Sequence, residues 1–334
     1  MASIRQIAQE AGVSIATVSR VMNNNPKVSE SLRQRVQMAA NRRRSNPDTQ
    51  SPKTNCFGVL YTTDRLTIGS PYDSAILQGM AEEMGADSMD IRLVTPSELM
   101  RGGRTLEQSL RLRGIQGVLI RVTADTAHHA LDLVEADFPA VTVSDRLDHP
   151  KASYLAGSSR QASREAVEHL LSIGHEKIAI VNSRIPDTDH IERFEGYSDA
   201  MEAVGLTVEP HRVIRAWPNR RGGITAMNQL ATERDRPTAL FFADMEAAMG
   251  ASKRAFELGL NVPGDISIVG VDDGDSRFFA YPTMTAVCQS AFQMGRDGTR
   301  MLQQLIQNPT GPPLREKAAS WLEVHDSTGA PAPY

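Results

Sequence analysis

The chain has 334 residues, of which 40% are hydrophobic and 23% charged, and its formal net charge is −4 at pH 7. This composition is too apolar for a disordered chain and too poor in glycine and proline for a collagen-like one, and the length allows about two or three domains. Two cysteines, Cys56 and Cys288, exclude a disulfide framework or a Cys-rich metal site, and no apolar run suggests a signal peptide or a membrane span, which is typical of a cytoplasmic protein.

The charge is distributed unevenly along the chain. The first 46 residues contain 8 basic and 2 acidic side chains, a net charge of +6, so the other 288 residues carry −10. A small basic segment attached to a large acidic one predicts a polyanion partner for the basic segment. The alternative is a solvated basic tail without a partner.

The basic segment is predicted to contain three short helices. Apolar residues recur at helical spacing over 3–11, and Gly12 ends that helix. Ser14 then caps a second helix, and a third helix begins after Ser29. The apolar face of the second helix is predicted to consist of Val18, Val21 and Met22. Two helices joined by a tight Ala-Gly-Val-Ser turn are typical of a helix-turn-helix, whose second helix enters the major groove of DNA.

The motif A-G-V-S-x-x-T-V-S-R-V-x-N at 11–23 resembles the head of the lactose and galactose repressor (LacI/GalR) family. The resemblance implies that DNA phosphates are contacted by Ser14, Thr17, Ser19 and Asn23. It also implies that base edges are contacted by Ile15, Ala16 and Arg20. The chemistry of the arginine side chain alone makes Arg20 the strongest candidate for a guanine contact. The alternative for Ile15 is partial burial against the third helix.

The segment 47–55 is predicted to be an extended linker. In the LacI/GalR family a hinge helix follows the head, and one of its leucines is inserted into the minor groove and kinks the operator. Here Pro52 would break such a helix, and 47–55 contains no leucine. We therefore expect weak bending of the DNA and an affinity that depends more on phosphate contacts, including those of the arginines at 42–44.

From Cys56 onward, short apolar runs alternate with helical segments. The runs typical of buried strands occur in two cycles, at 57–61, 91–94, 117–120 and 140–143 and then at 177–181, 213–214, 239–242 and 266–271. This alternation predicts parallel sheets covered by helices on both faces, and the number of units predicts two lobes. Ligands of such folds bind at the carboxyl ends of the strands, so we expect a binding cleft between the lobes.

The resemblance continues over nearly the whole body. Its clearest motifs are H-L-x-x-x-G-H-x-x-I-A at 169–179, R-x-x-G-Y at 193–197 and V-P-x-D-I-S-x-V-G-x-D-D at 262–273. The implied fold is an all-α helix-turn-helix head plus an α/β body, a two-lobed periplasmic-binding-protein-like clamshell of parallel sheets. The implied domains are the head at 1–46, the linker at 47–55, lobe one at 56–157 with 287–325, lobe two at 158–286 and a frayed tail at 326–334. A helix at 291–307 and a strand at 320–324 would complete lobe one.

Effector-binding residues carry over from the family at five positions. In sugar-binding members, the positions of Arg193 and Asp272 hold ligand hydroxyls, and an aromatic residue at the position of Tyr72 stacks on the ligand. Asp145 and Asp244 complete the set, and Asp244 stands where the family usually has asparagine. Serines also stand at 158–159, where the family usually has Asp-Asn, and this changed set of acceptors argues against a standard hexose. The alternatives are that Arg193 only bridges the lobes and that Asp272 only caps a turn.

The sequence contains no phosphate-binding glycine motif, nucleophile elbow or H-E-x-x-H zinc motif, so no enzyme activity, cofactor or metal is expected. It predicts a DNA-binding transcriptional regulator, a repressor that binds a pseudo-palindromic operator as a homodimer and responds to a small, sugar-like effector. The alternative is a small-molecule binding protein without operator-specific DNA binding. That alternative lacks an export signal and leaves the basic head unexplained.

Overall fold

The computed structural model describes residues 8, 11–22, 28–29, 32–33, 35–36, 55–62, 69–85, 89–122 and 127–332. The chain divides into two units, Met1–Thr54 and Asn55–Tyr334, referred to below as the head and the body. The predicted linker, the arginines at 42–44 and Asn23 lie outside the described residues.

The head contains helix α1, Ile15–Met22, preceded by a tight turn. Gly12 has φ +61°, a left-handed conformation that glycine adopts without strain, and Arg35 Nη2 donates a 2.9 Å hydrogen bond to Ala11 O beside it. A small apolar core is formed by Ala8, Ala11, Val18, Val21 and Val36. Met22 was predicted to lie on the apolar face but is 51% exposed, because α1 buries mainly its two valines.

The described residues of the body form twelve strands. They are β1 Asn55–Tyr61, β2 Met89–Val94, β3 Ile115–Arg121, β4 Ala140–Val143, β5 Ser153–Ala156, β6 Ile178–Ser183, β7 Val213–Ala216, β8 Ala239–Phe242, β9 Ser267–Asp272, β10 Thr285–Gln289, β11 Arg315–Lys317 and β12 Ser320–Glu323. Lobe one has the strand order β11-β5-β4-β3-β1-β2, all parallel. Lobe two has the order β12-β10-β9-β8-β6-β7, parallel except for β12.

Helices cover both sheets. They are α2 Pro71–Met84, α3 Pro96–Leu99, α4 Leu106–Leu112, α5 Ala127–Glu135, α6 Ser159–Ser172, α7 Thr188–Ala203, α8 Arg220–Ala231, α9 Met245–Glu257 and α10 Ala291–Gln307, with 3-10 turns at Pro210–Arg212 and Ser276–Phe279. In lobe one, α2 and α10 pack closely, because a β-carbon on Gly79 or Gly295 would collide with the backbone of the opposite helix. The central strands of both sheets are buried over most or all of their length, which explains their continuous apolar runs.

The end of the body differs from the prediction that 287–325 completes lobe one. The helix α10 does pack on lobe one, but β10 pairs with β9 and β12 pairs antiparallel with β10, both in the sheet of lobe two. Leu322 on β12 packs against the apolar core of lobe two, which explains this choice. The last strand of lobe one is instead β11, a short charged edge strand. The chain therefore crosses between the lobes three times.

The predicted frayed tail is also wrong for its first residues, because 327–329 pack onto lobe two. Ser327 is fully buried, and its hydroxyl donates to Ile268 O at 2.6 Å and accepts from Thr285 N at 2.8 Å. Residues 327–329 and the side chains that hold them are called the C-terminal anchor below. Within the described part of the chain, no helix combines the length and the apolar character that a membrane-spanning segment requires.

Candidate functional site

The outward face of α1 is the first candidate site. Ser14 caps the helix, because Thr17 N donates to Ser14 Oγ over 3.1 Å and the two hydroxyl oxygens lie 2.8 Å apart. The exposed residues at the start and middle of the helix are Ile15, Ala16 and Arg20. Ile15 is 48% exposed, which leaves its side chain available for apolar contact. The helix thus presents small, hydroxyl-bearing and guanidinium groups on the side opposite its buried valines.

The residues that the sequence predicts to contact DNA therefore differ in their exposure to solvent. Thr17 and Ser19 are partly buried, whereas Ser14 is exposed like the three residues predicted to meet base edges. Asn23 lies outside the described residues. Six of the seven predicted residues lie together on or immediately before α1.

In the body, the lobes meet at loops that leave the carboxyl ends of their strands. Asp145 and Arg146 follow β4 of lobe one, and Thr188 and Glu192 lie at the start of α7 in lobe two. Thr188 Oγ1 donates a hydrogen bond to Asp145 Oδ1, and Arg146 forms an ion pair with Glu192. Burial raises the pKa of the Asp145 carboxyl. This predicted residue therefore lies at the junction of the two lobes.

Tyr72 lies in the first turn of α2, in lobe one. Its hydroxyl is hydrogen-bonded to that of Ser144, and the Arg121 guanidinium lies 4.4 Å from its ring centroid. Arg121 Nε donates in turn to Asp73 Oδ1 at 3.0 Å. Burial raises the pKa of the Tyr72 hydroxyl, and carboxylates of both lobes contribute to the increase. Tyr72 is therefore held from two sides before any ligand contacts it.

On the lobe-two side, His190 lies between two carboxylates. Its Nδ1 is 2.6 Å from Asp187 Oδ1, and its Nε2 is 3.2 Å from Asp244 Oδ1. Asp187 also caps α7, because its Oδ1 accepts from His190 N at 2.9 Å. Burial alone would lower the pKa of His190, but the two carboxylates outweigh burial and raise it to about 10. His190 is thus a buried cation at neutral pH, and Asp244 is its partner.

Arg193 lies one turn further along α7. Its Nη1 donates to Ala243 O at 2.8 Å, and its Nη2 is 3.7 Å from Asp189 Oδ2. Both partners belong to lobe two, so these contacts do not bridge the lobes. Burial raises the pKa of Asp189 to about 7 although Arg193 opposes the increase. Burial likewise raises the pKa of Asp273 to about 6.

Asp272 differs from the other predicted effector residues, because its carboxylate is fully engaged within its own loop. It is 1% exposed, and it accepts hydrogen bonds from the amides of Gly274, Ser276 and Arg277 and from Arg277 Nη1. This is the arrangement expected of the turn-capping alternative. Its neighbour Asp273 approaches the cleft instead, where it accepts from Gln289 Nε2.

Together these side chains form a charged group that we call the interlobe cluster. Its carboxylates are Asp73, Asp145, Asp187, Asp189, Glu192, Asp244 and Asp273, and its cations are Arg121, Arg146, His190 and Arg193. Sequence reasoning had found only Asp145, Arg193 and Asp244 among them. A signal for others was present, because D-x-x-H at 187–190 follows a buried strand as a helix cap at the expected binding edge.

A cavity of about 830 Å³ opens between the lobes and reaches the interlobe cluster. Asp273 of the cluster and Gln289 line it, together with residues of α2, α9 and α10, the loop 274–279, Arg220 and Trp321. Within the described residues, no three His, Cys, Asp or Glu side chains are arranged to hold a metal ion. The cavity wall thus combines apolar side chains with the charged and amide groups of Asp273 and Gln289.

Comparisons with known proteins cover both units of the chain. Residues 3–44 match the family model described as bacterial regulatory proteins, lacI family, and residues 167–328 match a periplasmic binding protein-like domain. The HTH-type transcriptional repressor PurR of Haemophilus influenzae (strain PittEE) is 30% identical over 314 residues, which is 92% of this chain and 91% of that protein. Catabolite control protein A of Priestia megaterium is 27% identical over 92% of this chain and 93% of its own.

Solved structures agree with these relatives. The structure of the transcriptional regulator CelR–cellobiose complex matches 98% of this chain and 100% of its own, with a TM-score of 0.71 and 26% sequence identity. In that protein the named ligand is a disaccharide. The match extends over both the head and the body, so the order of the two units along the chain is the same.

Proposed function

Because this chain belongs to the lacI family of bacterial regulatory proteins and is a DNA-binding transcriptional regulator, we propose that it is a repressor controlled by a small molecule. It binds a pseudo-palindromic operator as a homodimer in the bacterial cytoplasm, and a sugar-like effector binds between the lobes of its body. Its relatives are regulators, and we assign it no catalytic role. The observation that carries the proposal is the exposed face of α1 on a packed helix-turn-helix core.

The groups on that face are those that DNA recognition requires. Arg20 can form a bidentate pair with a guanine in the major groove, which contributes about 1–3 kcal/mol of discrimination between bases. Ser14 and Thr17 offer hydroxyls to phosphates, and Ile15 and Ala16 offer apolar contact to a thymine methyl. One such head gives a small interface, so two heads related by a two-fold axis would provide the affinity.

An apolar surface on lobe two supports the homodimer. Phe256 and Tyr281 are 83% and 96% exposed, which is unusual for large aromatic residues. They belong to one region, because Ser252 Oγ on α9, the helix that carries Phe256, donates to Tyr281 O. A two-fold dimer would bury this surface against its copy. The operator half-site spacing would then follow from the dimer.

The interlobe cleft supports control by an effector. Arg193, Asp244 and Asp145 supply a planar donor and strong acceptors of the kind that bind hydroxyl groups. A ligand bound to both walls stabilises one arrangement of the lobes over another, and it thereby changes the spacing of the DNA-binding heads in the dimer. The cellobiose named with the CelR structure is an example of a sugar ligand in a similar protein.

A selection from random oligonucleotides with the full-length protein tests this function. We expect a pseudo-palindromic sequence to be enriched and its affinity to fall steeply with salt. Arg20→Ala should weaken binding by about 1–3 kcal/mol and relax the preference at one base pair of each half-site. Arg101→Ala, which removes an exposed arginine of lobe one, is the control and should leave both unchanged. Failure to enrich any sequence would contradict the proposal.

A further inference from the structure

The interlobe cluster contains more carboxylates than cations. Seven carboxyl side chains face four cationic ones, so the cluster carries surplus negative charge when all are ionised. A site built for an anion would show the opposite balance. An excess of carboxylates alone does not identify a ligand. What the cleft can bind depends on which cations and which acceptors already have partners within the protein.

Every cation of the cluster is paired with a protein group, although Arg146 Nε and Arg193 Nε are buried without a hydrogen-bond partner. Arg121 is paired with Asp73 and donates to Val143 O, and Arg146 is paired with Glu192. His190 is held by its two carboxylates, and Arg193 by Ala243 O and Asp189. An acceptor atom of a ligand can bind to these two Nε atoms without displacing a partner. A full negative charge at either guanidinium would lie next to the carboxylate already paired with it, Glu192 or Asp189, and would be repelled.

Two carboxylates of the cluster, Asp189 and Asp273, are poorly compensated. Asp273 accepts a hydrogen bond from Gln289 Nε2. Burial raises the pKa of Asp273 to about 6 and the pKa of Asp189 to about 7. Burial is the main cause of both pKa shifts and neighbouring carboxylates add to it, whereas Arg193 opposes both shifts without cancelling them. A positive charge placed between Asp189 and Asp273 would therefore be stabilised by both.

An independent observation identifies a hydrogen-bond acceptor at the same place. Gln289 is 3% exposed, and its Oε1 is buried without a hydrogen-bond partner. A β-carbon on Gly157 would lie 3.1 Å from this oxygen and 2.6 Å from Asp189 Oδ1, so the two acceptors converge on one point of the chain. The amide of Gln289 spans the gap from Asp189 to Asp273, and its free oxygen requires a donor.

We propose that the effector is a small organic cation, an amine or amino sugar, whose ammonium group donates to Gln289 Oε1 and lies between Asp189 and Asp273. This inference rests on the proposed function, because it concerns the same effector cleft. The ligand enters through the cavity that Asp273 and Gln289 line, and that cavity is large enough for the remainder of the molecule. The hydroxyls of an amino sugar would bind the other acceptors of the cluster.

A charge-matched ligand panel on the full-length protein tests the inference. The cationic probes are glucosamine, galactosamine, putrescine and agmatine, the neutral ones are glucose and galactose, and the anionic ones are gluconate and glucose 6-phosphate. We expect at least one cationic probe to raise the melting temperature and to bind in calorimetry at least about tenfold more tightly than its neutral counterpart. Stabilisation by neutral or anionic probes alone, or by none of the cationic probes, overturns the inference.

Variants locate the cation. Asp273→Asn and Gln289→Ala should each weaken binding of the best cationic probe about tenfold or more, because each removes an acceptor for a charged donor. Asp235→Asn is the control, since this carboxylate pairs with Lys177 and Arg212 outside the cluster. Equal affinity in all three variants would place the cation elsewhere and overturn the inference.

The two proposals can fail separately. Operator selection without any ligand tests the regulator, and DNA affinity in Asp273→Asn verifies that the variant folds. If an operator is found but only neutral or anionic probes change its affinity, the regulator stands and the cationic effector is excluded. If cationic probes bind but no operator is enriched, the body is a binder of cations and the repressor function fails.

Discussion

The interlobe cluster and the C-terminal anchor both bury polar side chains, but they satisfy them differently. In the anchor, His175 is 1% exposed and each ring nitrogen has a partner, Thr238 Oγ1 at 2.8 Å for Nδ1 and Gly329 O at 2.9 Å for Nε2. In the cluster, Arg146 Nε and Arg193 Nε have none, and neither has Oε1 of the adjacent Gln289. The anchor is built from neutral groups that satisfy each other, whereas the cluster is built from charges that a ligand can complete.

This difference has a physical consequence for each region. A neutral network with complete hydrogen bonding stabilises one structure and resists change. A cluster with uncompensated charge holds its two walls less strongly, because a carboxylate that lacks a cation opposes closure. We therefore expect substitutions in the anchor to act on folding, and substitutions in the cluster to act on ligand binding and on the relation between the lobes.

The largest effect is expected for His175→Ala. Removal of the ring leaves a cavity and takes hydrogen bonds from Thr238, Ser267 and Gly329 O, so the free energy of unfolding should fall by about 3 kcal/mol. Urea denaturation followed by circular dichroism measures the loss. His211→Ala, at an exposed position, should change stability little. A loss below about 1 kcal/mol would mean that the anchor is not a stabilising network.

A smaller loss is expected at the boundary of the cluster for Gly157→Ala. The new β-carbon would lie 2.6 Å from Asp189 Oδ1 and must displace it, so stability should fall by about 1–3 kcal/mol. Gly69→Ala is the matched control, because nothing lies within 4 Å of its β-carbon position. Calorimetric unfolding compares the two variants. Equal stability would show that Asp189 moves freely and that the acceptors do not converge.

The two regions should also respond to pH in opposite directions. Burial lowers the pKa of His175, so the native anchor favours the neutral ring, and its contribution to stability is lost as the pH falls below about 6.5. The pKa of Asp189 is raised to about 7 from 3.8, so its protonated form stabilises the native state below pH 3.8, and this stability is lost as the pH rises to 7.

Asp189→Asn separates these contributions. In the parent, titration of Asp189 should change the free energy of unfolding by about 1–2 kcal/mol between pH 4 and 7. In the variant this contribution should be absent, because the amide does not titrate. Denaturation midpoints at half-unit pH intervals for the variant and the parent measure the difference. The decline of stability below pH 6.5 that His175 causes should remain in both. Parallel pH profiles would contradict the raised pKa of Asp189.

The same contrast explains what the sequence could predict. Parallel strands and helix caps depend on local patterns, so the alternation from Cys56 onward and the cap at Ser14 were visible in the sequence. Asp273 was not found, because two adjacent aspartates look alike and only the loop geometry directs Asp272 to its own amides. The strand β12 was assigned to the wrong lobe, because four residues contain no information about which sheet edge is open.

The smallest effect is expected for the ion pair that joins the lobes. Arg146 is partly exposed, and solvent weakens its attraction to Glu192, so Arg146→Gln should cost only about 0.5–1 kcal/mol of stability. Glu192 Oε2 also accepts from Ser159 N at 3.1 Å, so the loss of Arg146 should accelerate hydrogen exchange of that amide, at the start of α6. Arg160→Gln, whose partners Glu195 and Asp199 belong to lobe two like itself, should leave this exchange unchanged. If both variants gave the same exchange rate at Ser159, the pair would not hold the lobes together, and closure of the cleft would depend on the buried carboxylates and the ligand alone.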